Sequence, residues 1–314
     1  MSYRNEHMKE TGGNRKKRFE NEKKGYSDPT VLVGQWFEER ARKEADYVEF
    51  LQNYGNENTP VQKFMKYKTT LNDPTSLTES RDGYLHNKDA VNICWCTKLS
   101  TSKSSQKQHV YLSALPFEIK GAGDFVVPCI ATAVTAKNGN IARCTFYICR
   151  ANTAVPDNVP IMYNECVRIV TTGNTGGLFL QSELRTPMVR SKRSEHQETK
   201  WVENPSHLTL WKIMRRNTEE KPRLRMETVF RCKQDFVPVN TELLISHVAT
   251  GNHLALEKDH HFQTAMGFEW EISCNNYVTS PLVEGLENIW KICTPYPEDL
   301  IKGLNSRCIP FPGM

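Results

Sequence analysis

The tripeptide Trp-Lys-Ile occurs twice at a domain-scale separation, in LTLWKIMR (Leu208 to Arg215) and in ENIWKICT (Glu287 to Thr294). Each copy closes an ordered series. CVRIVTTGNTGGLFLQSE (Cys166 to Glu183) leads to the first LWKI, and LLISHVATGNHLALEK (Leu243 to Lys258) leads to IWKI. In both, a strand-like run meets a Gly-Asn turn, a Leu-x-Leu run follows, and Trp-Lys-Ile ends the unit. A weaker first copy runs from GYLHNKDAVNICW (Gly83 to Trp95) to TFYI (Thr145 to Ile148), with Phe146 standing where Trp211 and Trp290 stand. The order of parts is shared, not only their composition.

From Asp82 onward the texture is one of short runs rich in Val, Ile, Thr, Phe and Trp, punctuated by Gly, Asn, Pro and Ser. Three four-stranded units with a bulky closing aromatic in each predict an all-β main body over residues 81–296. The expected form is β-trefoil-like, with pseudo-repeats at about 83–150, 161–216 and 236–294. Alternation with period 2 then sends Phe146, Ile148, Trp211, Ile213, Trp290 and Ile292 inward and turns Lys212 and Lys291 outward. Counted from Val91, Val167 and Leu244 in the first strand of each unit, the closing aromatics Phe146, Trp211 and Trp290 follow at about 55, 44 and 46 residues. A seven- or eight-stranded sandwich is the alternative architecture, and it leaves the ordered repeat unexplained.

The flanks have a different character. Met1 to Lys24 is dominated by Lys and Arg, with almost nothing apolar in NRKKRFENEKK, so it is expected to be a flexible basic arm. A helix is expected from about Gln35 to Tyr54, where Phe37, Ala41, Val48 and Leu51 recur at helical spacing with Glu44 interrupting the stripe. Asn53, Gly55 and Pro60 stop it, and such a helix must lie on the main body or on a partner. Gln62 to Thr78 reads as a connection without periodicity, so 1–80 is arm, one helix and connector. Residues 297–314 read as an extended C-terminal tail.

Few function classes survive this composition. No apolar run is long enough to span a membrane and no secretory leader is visible, so the expectation is an intracellular protein with no membrane partner. Its ten cysteines are then read as reduced and mostly buried, although Cys94, Cys96, Cys144 and Cys149 together would supply four thiolates for zinc. GNTGG at Gly173 to Gly177 lacks the Lys and Ser/Thr of a phosphate loop, and no nucleophile elbow occurs. His253, His260 and His261 with Glu257 and Asp259 form the densest titratable group, without metal-site spacing, and read as a solvated loop. No catalytic residues, metal ligands or cofactor are assigned, and the chain is not read as an enzyme.

RTPMVRSKRSEHQETK, Arg185 to Lys200, is expected to be a basic loop between strands of the second unit. With no aromatics for stacking bases, it suits an acidic protein surface better than nucleic acid. A soluble carbohydrate- or lipid-headgroup-binding trefoil is the rival reading, by fold analogy alone.

Five stretches carry a resemblance to a known family: VLVGQWFEE (Val31 to Glu39), TESRDGYLHNKDAV (Thr78 to Val91), VPCIATAVTAKNGNIARCTFYI (Val127 to Ile148), GGLFLQSELRTPMVRSKRS (Gly176 to Ser194) and VPVNTELLISHVATGNHLALE (Val237 to Glu257). In this order and spacing they resemble the cilia- and flagella-associated protein 161 family of microtubule inner proteins. The resemblance implies a structural, non-catalytic protein bound to α/β-tubulin on the luminal wall of the A-tubule in axonemal doublet microtubules, beside other inner proteins. Under that reading the candidate contacts are Arg15, Lys16, Lys17 and Arg18 in the arm, Trp36 and Phe37 at the helix start, and Arg190, Lys192 and Arg193 in the basic loop.

Overall fold

The computed structural model describes residues 33–56, 58–95, 109–116, 129–136, 139–172, 177–216, 235–264, 266–280 and 283–295. The basic arm, the GNTGG turn, ETVFRC (Glu227 to Cys232) and the C-terminal tail fall outside them wholly or in large part. The chain divides into two compact units between Met65 and Lys66, inside the second of the two helices among the described residues.

Helix α1 spans Val33–Gly55. The stretch expected to be a connection begins with a second helix, α2, Pro60–Leu71. Its start was written in the sequence and is a correction to the one-helix reading. Thr59 is the N-cap, Pro60 fills the first helical position where an N–H is not needed, and Gln62 completes a capping box. The Gln62 side-chain oxygen accepts from the Thr59 N–H at 3.2 Å while Thr59 Oγ1 accepts from the Gln62 N–H at 3.4 Å. Pro60 therefore ends nothing by itself; it opens a helix.

The main body is a large antiparallel sheet of twelve strands with a separate two-stranded ribbon, β12 (Val278–Ser280) with β13 (Val283–Glu284). Six strands pair in a closed cycle: β1 (Asp89–Trp95), β4 (Thr145–Arg150), β5 (Cys166–Thr171), β8 (Trp211–Arg215), β9 (Glu242–His247) and β14 (Trp290–Cys293). Each pairs with the next and β14 returns to β1. Such a cycle leaves no free edge. The other six form three hairpins, β2 (Val110–Pro116) with β3 (Cys129–Thr135), β6 (Phe179–Ser182) with β7 (Gln197–Val202), and β10 (Leu254–Thr264) with β11 (Gly267–Cys274). The hairpins also join each other, through β3–β7, β11–β3 and β11–β7.

Each of the three closing aromatics faces an apolar residue on a neighbouring strand. Phe146 lies opposite Val91, Trp211 opposite Val167 and Trp290 opposite Leu243. A single 3-10 turn precedes each closing strand: Ala142–Cys144, His207–Thr209 and Leu286–Asn288. Phe146, Ile148, Trp211, Ile213, Trp290 and Ile292 are all buried, while Lys212 and Lys291 between them are half-exposed. The indole N–H of Trp211 donates to the Leu180 carbonyl of β6 at 2.8 Å, and that of Trp290 to the Leu254 carbonyl of β10 at 2.9 Å. Phe146 has no such donor and instead stacks on Trp201, ring centroids 4.9 Å apart.

Candidate interaction surface

The basic loop is shorter than its sequence suggested. Arg185 to His196 connects β6 to β7, but Gln197 to Lys200 belongs to β7, and Lys200 pairs with Glu183 at 2.7 Å. The strand escaped notice because its inward residues are polar. Gln197 and Thr199 are buried beside Trp201, and the Gln197 side chain donates to Ser182 Oγ at 2.8 Å while accepting from Asn252 at 2.8 Å.

Two buried carboxylates fasten this loop to the β10–β11 hairpin. Glu271 accepts the backbone N–H of Arg193 at 3.0 Å and of Ser194 at 2.7 Å. Its cross-strand neighbour Glu257 accepts from His196 Nδ1 at 2.8 Å and from the Tyr277 hydroxyl at 2.7 Å, and also from Ser273 Oγ. Buried carboxylates are retained only when so satisfied. Burial first, and the hydrogen bond to Glu257 next, hold the Tyr277 hydroxyl well above its ordinary range. A further backbone bond, Ser191 N–H to the His196 carbonyl at 2.9 Å, folds the loop on itself, and Glu195 takes a positive φ of 60° to turn it.

The result is a basic patch with a rigid base. Arg190, Lys192 and Arg193 are exposed on it. Arg190 pairs with Glu195 at 2.7 Å, a surface contact that a partner's carboxylate would exchange at little cost. Arg193 lies over the Phe262 ring, 5.9 Å from its centroid, and lines a cavity of about 220 Å³ with Asp259, His260, His261, Gln263 and Phe268.

The histidine group read as a solvated loop sits instead on strand β10 and its approach. Its members divide: Glu257 turns inward to His196, whereas Asp259, His260 and His261 line the cavity. A bulge between Glu257 and His261 shifts the register there, which the sequence pattern did not reveal. Burial lowers the imidazole of His253 below the ordinary histidine value. The same holds for His247, whose Nε2 donates to the Leu208 carbonyl and whose Nδ1 lies 2.9 Å from Thr250 Oγ1. Among the cysteines, Cys94 and Cys144 are buried, Cys149 is half-exposed, and Cys96 lies outside the described residues. Burial pushes the Cys144 thiol up to about 12.

Arg15, Lys16, Lys17 and Arg18 lie outside the described residues. Trp36 and Phe37 sit in the first turns of α1, 73% and 76% exposed, and belong to a longer exposed apolar series with Tyr47, Val48, Phe50, Leu51 and Tyr54. The sequence reading named Glu257 only as part of a solvated group and did not single out Glu271 or Tyr277, the other two anchors of the loop. A signal existed for one of them: in GFEWEISC, Glu269, Glu271 and Ser273 alternate with Trp270 and Ile272, so the polar residues share one face of the strand.

Residues 125–295, more than half of the chain and including the whole basic loop, match the cilia- and flagella-associated protein 161-like domain. The chain belongs to this family. The Bos taurus cilia- and flagella-associated protein 161 is 29% identical over 279 residues, spanning 86% of this chain and 82% of the relative. The Danio rerio protein of the same name is 27% identical over 296 residues, spanning 88% and 91%. Among solved structures, a Caenorhabditis elegans protein of unknown function aligns with 68% of this chain and 98% of its own, at 16% identity and a TM-score of 0.46. Membership carries the chain into a family associated with cilia and flagella and named for no enzymatic activity.

Proposed function

We propose that this protein is a structural microtubule inner protein, bound to α/β-tubulin and to other inner proteins in the lumen of the A-tubule of axonemal doublets, where it stabilises the cilium or flagellum. The observation that carries the reading is the basic patch in the family-matched domain: Arg190, Lys192 and Arg193 stand on a loop whose backbone is fastened by the buried Glu257 and Glu271. A docking loop held in one conformation loses little entropy on binding. Catalysis is no part of this reading.

The scaffold is a β-trefoil of three pseudo-repeats, over about 83–150, 161–216 and 236–294. The closed six-strand cycle, the three mutually paired hairpins and the recurrent aromatic–apolar pairs support that assignment. The arm with Arg15, Lys16, Lys17 and Arg18, and the α1 start with Trp36 and Phe37, supply further contacts, so that retention comes from several shallow attachments acting together.

Charge reversal at Arg190, Lys192 and Arg193 to Glu tests the patch. Co-pelleting with opened doublet microtubules is expected to show apparent affinity falling by about tenfold or more, with the remaining binding more sensitive to salt. All three side chains are exposed, so the variant keeps its fold. Retention equal to the parent protein would remove the loop from the interface.

A further inference from the structure

Helix α1 carries a seam that no other element covers among the described residues. Phe37, Arg40, Glu44, Tyr47, Leu51 and Tyr54 follow the alternating three- and four-residue spacing of a two-helix seam, and all six are exposed. Two charged residues occupy the centre of an otherwise apolar row. Such a row is satisfied by a partner helix that offers apolar side chains at both ends and opposite charges in the middle.

The helix meets that description itself when reversed. We propose that α1 pairs antiparallel with α1 of a second copy of this chain, in the register that sets Arg40 against Glu44 of the other copy. The same register sets Phe37 against Tyr47 and, by the twofold symmetry of the pair, repeats both contacts. On the flank, Trp36 meets Phe50 of the second copy, and the small Ala41 lies near the dyad, where the helices come closest. Lys43 also approaches its symmetry mate; it is already paired with Glu39 in its own helix at 3.0 Å, which tempers the repulsion. A parallel pair would instead put Arg40 against Arg40 and Glu44 against Glu44, so the charges select the antiparallel arrangement. Within one helix Arg40 already reaches Glu44 at 3.2 Å, a solvent-exposed contact that the second copy replaces with two crossed ones. This inference goes beyond the axonemal reading and does not rest on it.

The test uses the full chain and its R40E and E44R variants in sedimentation equilibrium at physiological salt. The parent protein is expected to show a concentration-dependent monomer–dimer equilibrium, and each single reversal to raise the dissociation constant by about tenfold or more, because both central layers become like-charged. Mixing the two variants is the decisive arm. One then carries Glu at 40 and 44 and the other Arg at both, so the mixture is expected to dimerise as heterodimers at least as tightly as the parent. The substituted residues are exposed, so neither variant is expected to lose its fold. A parent protein monomeric up to about 100 µM, a dimer indifferent to the single reversals, or a mixture that stays monomeric would each overturn the proposal.

Discussion

Replacing Glu269 by Leu is expected to destabilise the main body by about 3–5 kcal/mol, read as a shift in the denaturant midpoint, because it strands a buried guanidinium. Glu269 and Arg143 form an ion pair with side chains 1% and 4% exposed, and Thr132 Oγ1 donates to the second carboxylate oxygen at 2.7 Å. The pair ties β11 to the 3-10 turn preceding β4, with Thr132 of β3 as third member. Its field reaches the Tyr67 hydroxyl, which burial first and then Glu269 push up to about 12. Taking both charges away tells a different story: Arg143→Met with Glu269→Leu removes two desolvation costs together and should recover most of the loss. Equal destabilisation by the single and double variants would mean that packing, not the stranded charge, sets the cost.

Trp211→Ala and Trp290→Ala should each cost about 3–5 kcal/mol through lost burial and the cavity left behind. Each also abandons a buried carbonyl, of Leu180 or of Leu254, that the indole N–H satisfied. The Phe variants separate the two effects. Phe keeps much of the volume and drops the donor, as Phe146 does naturally at the corresponding place of the first unit, so Trp211→Phe and Trp290→Phe should be milder by about 1–2 kcal/mol. If the three closing positions are equivalent, the two Phe variants agree within about 1 kcal/mol. A large disagreement would show that the repeat is one of sequence without equivalent packing.

What could be read from the sequence, and what could not, follows from which faces are apolar. The Trp-Lys-Ile strands announced themselves because alternation is clean there: Trp211 and Ile213 are buried on either side of half-exposed Lys212. Strand β7 was invisible because its inward Gln197 and Thr199 are polar and find their partners on segments distant in sequence, a fact with no local trace. The anchors of the basic loop are a partial case, since only Glu271 left a trace, in the alternation of GFEWEISC. Glu257 and Glu271 look like surface acids until the β10–β11 pairing sets them side by side and brings His196 and the Arg193–Ser194 backbone to them. Helix α2 is a different case, since its capping box was present in Thr59, Pro60 and Gln62; the weak apolar pattern behind it concealed the start signal. In α1 the apolar stripe was legible, but the register that makes Arg40 and Glu44 complementary is visible only once the helix is seen with its apolar face uncovered.

The measurement that tests the central claim most directly is cryo-electron microscopy of doublet microtubules isolated from the source cell. The account predicts a compact β density of this size on the luminal wall of the A-tubule, with Phe146, Trp211 and Trp290 converging near a pseudo-threefold axis and the Arg190–Arg193 loop against tubulin or a neighbouring inner protein. A lumen without such density, with the protein recovered in the soluble fraction, would contradict it and favour a soluble carbohydrate- or lipid-headgroup-binding role.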